Sequence, residues 1–171
     1  MSKTINIDIN LSGKELYKYL LPQIDSLINN AEPLISNLAN VSAALKEAFD
    51  KISWVGFYLL KDENLFLGPF QGKTACTVIG ISNGVCGSAV KQKKTIIVED
   101  VDKFPDHIAC DGRARSEIVI PLIKDNIVFG VLDLDSYELS AFDEIDQIYL
   151  EKLCNALTSK LNFNLVTSIL K

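Results

Sequence analysis

SEIVIPLIKDNIVFGVLDLDS, residues 116–136, is the stretch whose pattern settles the architecture. Its two halves, SEIVIPLI (116–123) and IVFGVLDLDS (127–136), are rich in β-branched and apolar residues, and Lys124–Asn126 between them has turn chemistry. The pattern predicts two strands joined tightly in a central hairpin. Upstream, TIIVEDV (95–101) reads as another strand. WVGFYLL (54–60), the turn KDEN (61–64) and LFLGPF (65–70) read as a second hairpin, with Pro69 favouring an edge or short position for its second strand. Segment 71–94 is Gly-rich, with a short helix expected from near Gly84, and 102–115 holds too many turn formers for a regular element.

Both ends of the chain are helical in rhythm. Leu16, Leu20, Ile24 and Leu27 trace one apolar face, Asn29 and Asn30 break it, and Leu34, Leu38, Val41, Leu45 and Phe49 trace a second. Leu150, Leu153, Leu157 and Leu161 mark the buried stripe of a last helix, with Ser140 as its cap and Asp143 three residues on. Helices before and after a run of hairpin-linked strands predict an α/β chain of the α+β type, an antiparallel sheet with helices packed against it. No βαβ repeat, GxGxxG or P-loop motif is present, which removes the main support for dinucleotide and NTP binding.

The 171 residues suit one domain, and 48% hydrophobic with 23% charged residues suits a globular protein. A net charge of -5 without any Lys/Arg run argues against nucleic acid and anionic membranes as partners. MSKTINIDIN lacks an apolar signal core and no segment is long and apolar enough to span a bilayer, so a reducing cytoplasm is expected. The four cysteines (76, 86, 110 and 154) form no CxxC, and a single histidine does not complete the usual zinc spacings, so no metal site is expected. In a reducing compartment these cysteines act by redox or nucleophilic chemistry, or pack.

HIACDGRARSEI (107–118) concentrates that chemistry. Cys110 lies near His107, Arg113 and Arg115, cationic company that favours a thiolate, and the Asp111–Gly112 turn could form an anion-binding concavity. Cys76 and Cys86 lie in a Gly-rich region as partner thiols or as core, and their spacing does not decide which. Cys154, beside Leu150 and Leu153, reads as packing. In VLDLDS, Asp133 and Asp135 share a strand face, and Glu117 lies across the hairpin near the same end. Crowded there, the carboxyls raise one another's pKa and one can stay protonated near neutrality; a strand end fraying into solvent is the plainer alternative. Trp54 and Tyr58 share parity on their strand, as an aromatic wall beside the acids or as ordinary core.

Taken in order, WVGFYLL, LGPFQG, GVCG, FPDHIACD, SEIVIP and VLDLDS closely resemble the free methionine-(R)-sulfoxide reductases, which are built on a GAF domain. The likeness runs from about Leu16 to Leu161 and implies a GAF-like domain over residues 12–161, with 162–171 an extension of unknown role. It implies a six-stranded antiparallel sheet flanked by N- and C-terminal helices, and a homodimer. It further implies reduction of the R epimer of free methionine sulfoxide, with no bound cofactor and with thioredoxin as electron donor, itself reduced by NADPH through thioredoxin reductase. By resemblance Cys110 is the catalytic cysteine, and Cys76 and Cys86 are the two possible resolving partners, with Cys76 slightly favoured. Glu117, Asp133 and Asp135 are the acidic residues of the substrate pocket, and Trp54 and Tyr58 its aromatic part. Two other readings stand beside this one: a non-catalytic GAF module binding a small ligand such as a cyclic nucleotide, and a metal-dependent thiol enzyme using His107 and the acids.

Overall fold

Alternation along the strands decides which side of the sheet each residue serves. In the computed structural model, which describes residues 4–108 and 110–170, two helices come first, α1 (Gly13–Leu27) and α2 (Leu34–Ala48). Then follow β1 (Trp54–Lys61), β2 (Asn64–Gln71), β3 (Val78–Gly80), α3 (Gly84–Gln92) and β4 (Ile96–Val98). The chain closes with β5 (Ser116–Lys124), β6 (Ile127–Ser136), α4 (Glu144–Lys160) and α5 (Val166–Ile169). The strands form one six-stranded antiparallel sheet in the order β3-β2-β1-β6-β5-β4, the α+β arrangement expected.

Val55, Phe57 and Leu59 of β1, Ile118, Ile120 and Leu122 of β5, and Leu132 and Leu134 of β6 are buried in the main core with the apolar faces of α1, α2 and α4. The alternate residues Trp54, Tyr58, Val119 and Val131 belong to a smaller core that includes Val85, Cys86 and Ala89 of α3. Every candidate pocket residue on a strand has this second parity. The central hairpin turns at Asp125 and Asn126, with φ of 50° and 63°, the left-handed pair of a type I′ turn. Asp62 and Glu63, with φ of 48° and 62°, make the same turn between β1 and β2. Gly130 is required by contact: its φ is 154° and a Cβ there would lie 2.1 Å from the Tyr58 carbonyl oxygen.

The structure departs from the sequence expectations at the short elements. β3 was not anticipated, because three residues carry no periodicity. β2 is eight residues long, so Pro69 does not shorten it, and β3 pairs only with Asn64–Phe66. Pro69 therefore has no strand to donate to on that side, and a register shift sits opposite it, between Gly56 and Tyr58. The strand expected over 95–101 stops at Val98, because Asp100 accepts from the Asp102 amide and starts a turn of 3-10 helix at Val101–Lys103. Asp143, not Ser140, caps α4: its carboxylate accepts from the amides of Ile145 and Asp146, while Asp146 reaches back to the Asp143 amide. Ser140 is held in a left-handed turn (φ 51°) with its amide donating to Glu99. Residues 162–170 do not trail: Phe163 and Val166 bury in the main core, and Lys61 donates to the Leu170 carbonyl.

Asp146 also ties three elements together. Its carboxylate accepts from Tyr17 Oη at 2.8 Å and from Lys51 Nζ at 2.7 Å, and burial followed by this carboxylate pushes the Tyr17 phenol up. Asp146→Ala should leave the buried Tyr17 hydroxyl without its acceptor, reduce Lys51 to its bond with the Ala141 carbonyl and open the capping box, and should lower unfolding free energy by about 2–4 kcal/mol in urea titration.

Candidate active site

The two-residue period that builds the second core also builds a pocket. β6 lies between β1 and β5, pairing Trp54 with Asp135 and Gly56 with Asp133 on one side, and Glu117 with Asp135 and Val119 with Asp133 on the other. Trp54, Tyr58, Glu117, Asp133 and Asp135 thus line one cavity on one face, closed over by α3 and by the loop bearing His107, Ile108 and Cys110. The aromatic wall exists: the Trp54 and Tyr58 rings stack at 6.0 Å, and Phe70 backs Trp54 at 5.6 Å. Gly56 lets the indole lie flat, since a Cβ there would sit 2.5 Å from Trp54 Cη2.

The acids are walled in and not frayed into solvent. Glu117 and Asp133 are buried, Asp135 is partly so, and the donor atoms of Glu117, Asp133 and Cys86 lie within 4.8 Å of one another. Burial first, then the Asp135 charge, holds the Glu117 carboxyl well above the usual carboxylate range. Burial and Glu117 do the same to Asp133, and burial with Asp133 and Asp111 does it to Asp135. His107 Nε2 lies 3.6 Å from Glu117 Oε2. Burial lowers the His107 pKa, so at neutral pH this contact pairs a neutral ring with a carboxyl inclined to keep its proton. Burial and mutual repulsion thus favour the protonated form of these carboxyls.

Cys110 and Cys76 are joined in a disulfide with Cα atoms 5.5 Å apart, across 34 residues of sequence. Both half-cystines are partly accessible. The aromatic pair fixes the Cys76 segment from below, with Trp54 Nε1 donating to the Lys73 carbonyl at 3.0 Å and Tyr58 Oη to the Cys76 carbonyl at 2.9 Å. Cys86 is free and buried at the start of α3, its thiol donating to Asp133 Oδ2 at 3.3 Å. Cys154 is free and buried in the main core, as expected of a packing residue.

Of the expected cationic company of Cys110, His107 lines the same cavity but the two arginines are elsewhere. Arg113 lies over the Tyr137 ring at 4.4 Å, bonds its hydroxyl and approaches Asp111 at 3.7 Å. Neither it nor Arg115 lines the cavity, and the Asp111–Gly112 turn spends its amides internally, with Arg113 N on Asp111 Oδ1 and Ala114 N on the Asp111 carbonyl. Among the lining residues that sequence reasoning did not assign to the pocket are Ile108, Gly84 and Val85. The Asn83–Gly84 break signals a helix start, but nothing in the sequence says what that helix end faces. Cys86, Glu117 and Asp133 are the described residues able to grip a metal ion together, a soft thiol beside two hard carboxylates.

Comparison with known proteins fits this geometry. A family model described as a GAF domain matches residues 38–162. GAF domain-containing protein A of Dictyostelium discoideum is 54% identical over 147 residues, covering 85% of this chain and 92% of that protein. The free methionine-R-sulfoxide reductase of Saccharomyces cerevisiae is 41% identical over 167 residues, 93% of each chain. The crystal structure of the Neisseria meningitidis free methionine-R-sulfoxide reductase in complex with its substrate superposes with a TM-score of 0.88 at 43% identity, covering 98% of this chain and 99% of that one.

Proposed function

This chain belongs to the free methionine-(R)-sulfoxide reductase family, built on a GAF domain, and we propose that its pocket reduces the R epimer of free L-methionine sulfoxide to methionine. The observation that carries the proposal is the Cys76–Cys110 bridge at a cavity walled by Trp54, Tyr58 and three carboxyls. In the reduced enzyme the Cys110 thiolate attacks the sulfoxide sulfur while the Glu117, Asp133 and Asp135 cluster gives a proton to its oxygen. Methionine leaves, and the oxygen stays on Cys110 as sulfenic acid. Cys76 condenses with it, releasing water and forming the disulfide, and a thioredoxin dithiol supplied with electrons from NADPH by thioredoxin reductase reopens it. No bound cofactor is needed for this balance of two electrons.

The pocket suits a free amino acid. Trp54 and Tyr58 offer apolar faces to the methyl and thioether carbons, and carboxylates accept the ammonium group. The amides of Gly84, Val85 and Cys86 open α3, where Asn83 makes no side-chain cap bond, and are suited to hold the α-carboxylate. A methionine within a peptide has neither terminal group. The lining holds no Lys or Arg among the described residues, which weighs against a phosphate-bearing ligand such as a cyclic nucleotide. We place the catalytic domain at residues 12–161, acting as a homodimer in the cytoplasm, with residues 162–170 as a brace on its core. No helix among the described residues is long and apolar enough to cross a membrane.

The test is NADPH consumption with thioredoxin and thioredoxin reductase. Turnover is expected on free methionine-R-sulfoxide, with the S epimer and a peptide-bound sulfoxide at least about 100-fold poorer, because each loses a paired polar contact in a closed site. Equal rates on free and peptide substrates would sink the proposal. Activity abolished by a chelator and restored by a divalent cation would instead favour a metal at Cys86, Glu117 and Asp133.

A further inference from the structure

Cys86 is 4% exposed, stands outside the disulfide, and faces the buried acid Asp133. Its thiol fills Asp133 Oδ2, while Asp133 Oδ1 is buried and has no hydrogen-bond partner among the described residues. Asp133 is 6% exposed and lines the pocket. A buried carboxyl oxygen without a donor is costly, and such an atom marks a place that a ligand completes.

Resting on the proposed reduction of free methionine sulfoxide, we propose that Cys86 is a positioning residue for this reaction and not a redox thiol. It occupies one oxygen of Asp133 with a neutral donor, so that the other is presented to the ammonium group of the substrate. The neutrality of the donor matters. A lysine or arginine in this place would neutralise the carboxylate and compete with the ammonium, whereas a thiol orients it without cancelling its charge. The same bond lowers the tendency of Asp133 to take up a proton. Burial pushes the Cys86 thiol up, which keeps the donor proton in place and makes the sulfur a poor nucleophile for a sulfenic acid.

The groups facing Asp133 are Glu117 from β5, Asp135 from β6, Tyr58 from β1 and Cys86 from α3, with His107 against Glu117 and Asp111 acting on Asp135. Burial and Glu117 favour protonation of Asp133, Asp133 in turn favours the charged form of Glu117, and Cys86 supplies the hydrogen bond that opposes protonation of Asp133. Without it, Asp133 becomes neutral over a wider range and loses its hold on an ammonium group.

The experiment compares Cys86→Ala with Cys86→Ser in the thioredoxin-coupled assay and in a single turnover followed by thiol titration. Cys86→Ala is expected to raise KM for free methionine-R-sulfoxide about tenfold with kcat within about threefold, and the acid limb of its kcat/KM profile should move to higher pH. Cys86→Ser restores the donor and should bring KM back to within about threefold of the parent. Both variants should still lose the thiols of Cys76 and Cys110 in the single turnover. If Cys86→Ser is as poor as Cys86→Ala, with kcat collapsed, KM unchanged and sulfenic acid persisting, Cys86 is the resolving thiol and the inference falls. A parent chain that does not reduce the sulfoxide at all overturns the proposed function instead, a result separable from either variant pattern.

Discussion

Replacing Cys110 with serine is expected to lower steady-state turnover by at least about 1,000-fold while leaving sulfoxide binding intact. Sulfur can take the sulfoxide oxygen because the resulting S–OH group is a stable stage of thiol oxidation. A serine in the same position would have to form an O–OH bond, for which the reaction supplies no driving force, and its hydroxyl is scarcely ionised near neutrality. The substitution is otherwise small and removes no pocket wall. Binding can be followed separately, because Trp54 is the only tryptophan of the chain and lies in the cavity. Quenching of its fluorescence by free methionine-R-sulfoxide should persist in Cys110→Ser while NADPH consumption disappears. Turnover within tenfold of the parent would mean that another atom accepts the oxygen.

Cys76→Ser should fail at the next stage. Its first cycle should release one methionine per chain, after which the enzyme stalls with Cys110 as sulfenic acid, and steady-state turnover with thioredoxin falls by about 100-fold. The partner is pre-positioned: the Cα atoms of the two residues lie 5.5 Å apart, and Trp54 and Tyr58 bond the carbonyls of Lys73 and Cys76 from the pocket floor. Cys86, held by Asp133, is not expected to substitute. A sulfenic-acid-specific label read by mass spectrometry on Cys110 checks the stalled state. Multiple turnovers at the parental rate would show that resolution does not need Cys76.

Much of this arrangement is legible before any coordinates. The central hairpin, the aromatic strand and the helical ends each repeat a signal over eight or more residues, and the structure keeps them. The shared face of Asp133, Asp135 and Glu117 follows from strand parity and the turn at Asp125–Asn126, which together fix the register. What fails is short or long-range. Val78–Gly80 is too brief to show a period, and Asp143 outcompetes Ser140 as cap because Asp146 completes the reciprocal bond. The proximity of Arg113 to Cys110 in sequence misleads, since Asp111 and Tyr137 offer the guanidinium better partners. The choice between Cys76 and Cys86 lies outside local pattern altogether, being made by where β3 and the start of α3 send the chain.

The Glu117–Asp135 pairing across β5 and β6 bears on how such a site survives selection. Like-charged residues directly opposite in a sheet weaken it, and burying them weakens it further. A lineage selected for thermal robustness alone would replace these acids by threonine or valine, to which strands are better suited. Their presence on the cavity face, while the opposite face is mainly apolar and buries no carboxyl from β1, β5 or β6, divides the sheet into a foundation that resists drift and a surface kept in a locally unfavourable state by what it does. Homologues that have lost the activity should therefore show it first as a relaxation of this pair, long before their cores change.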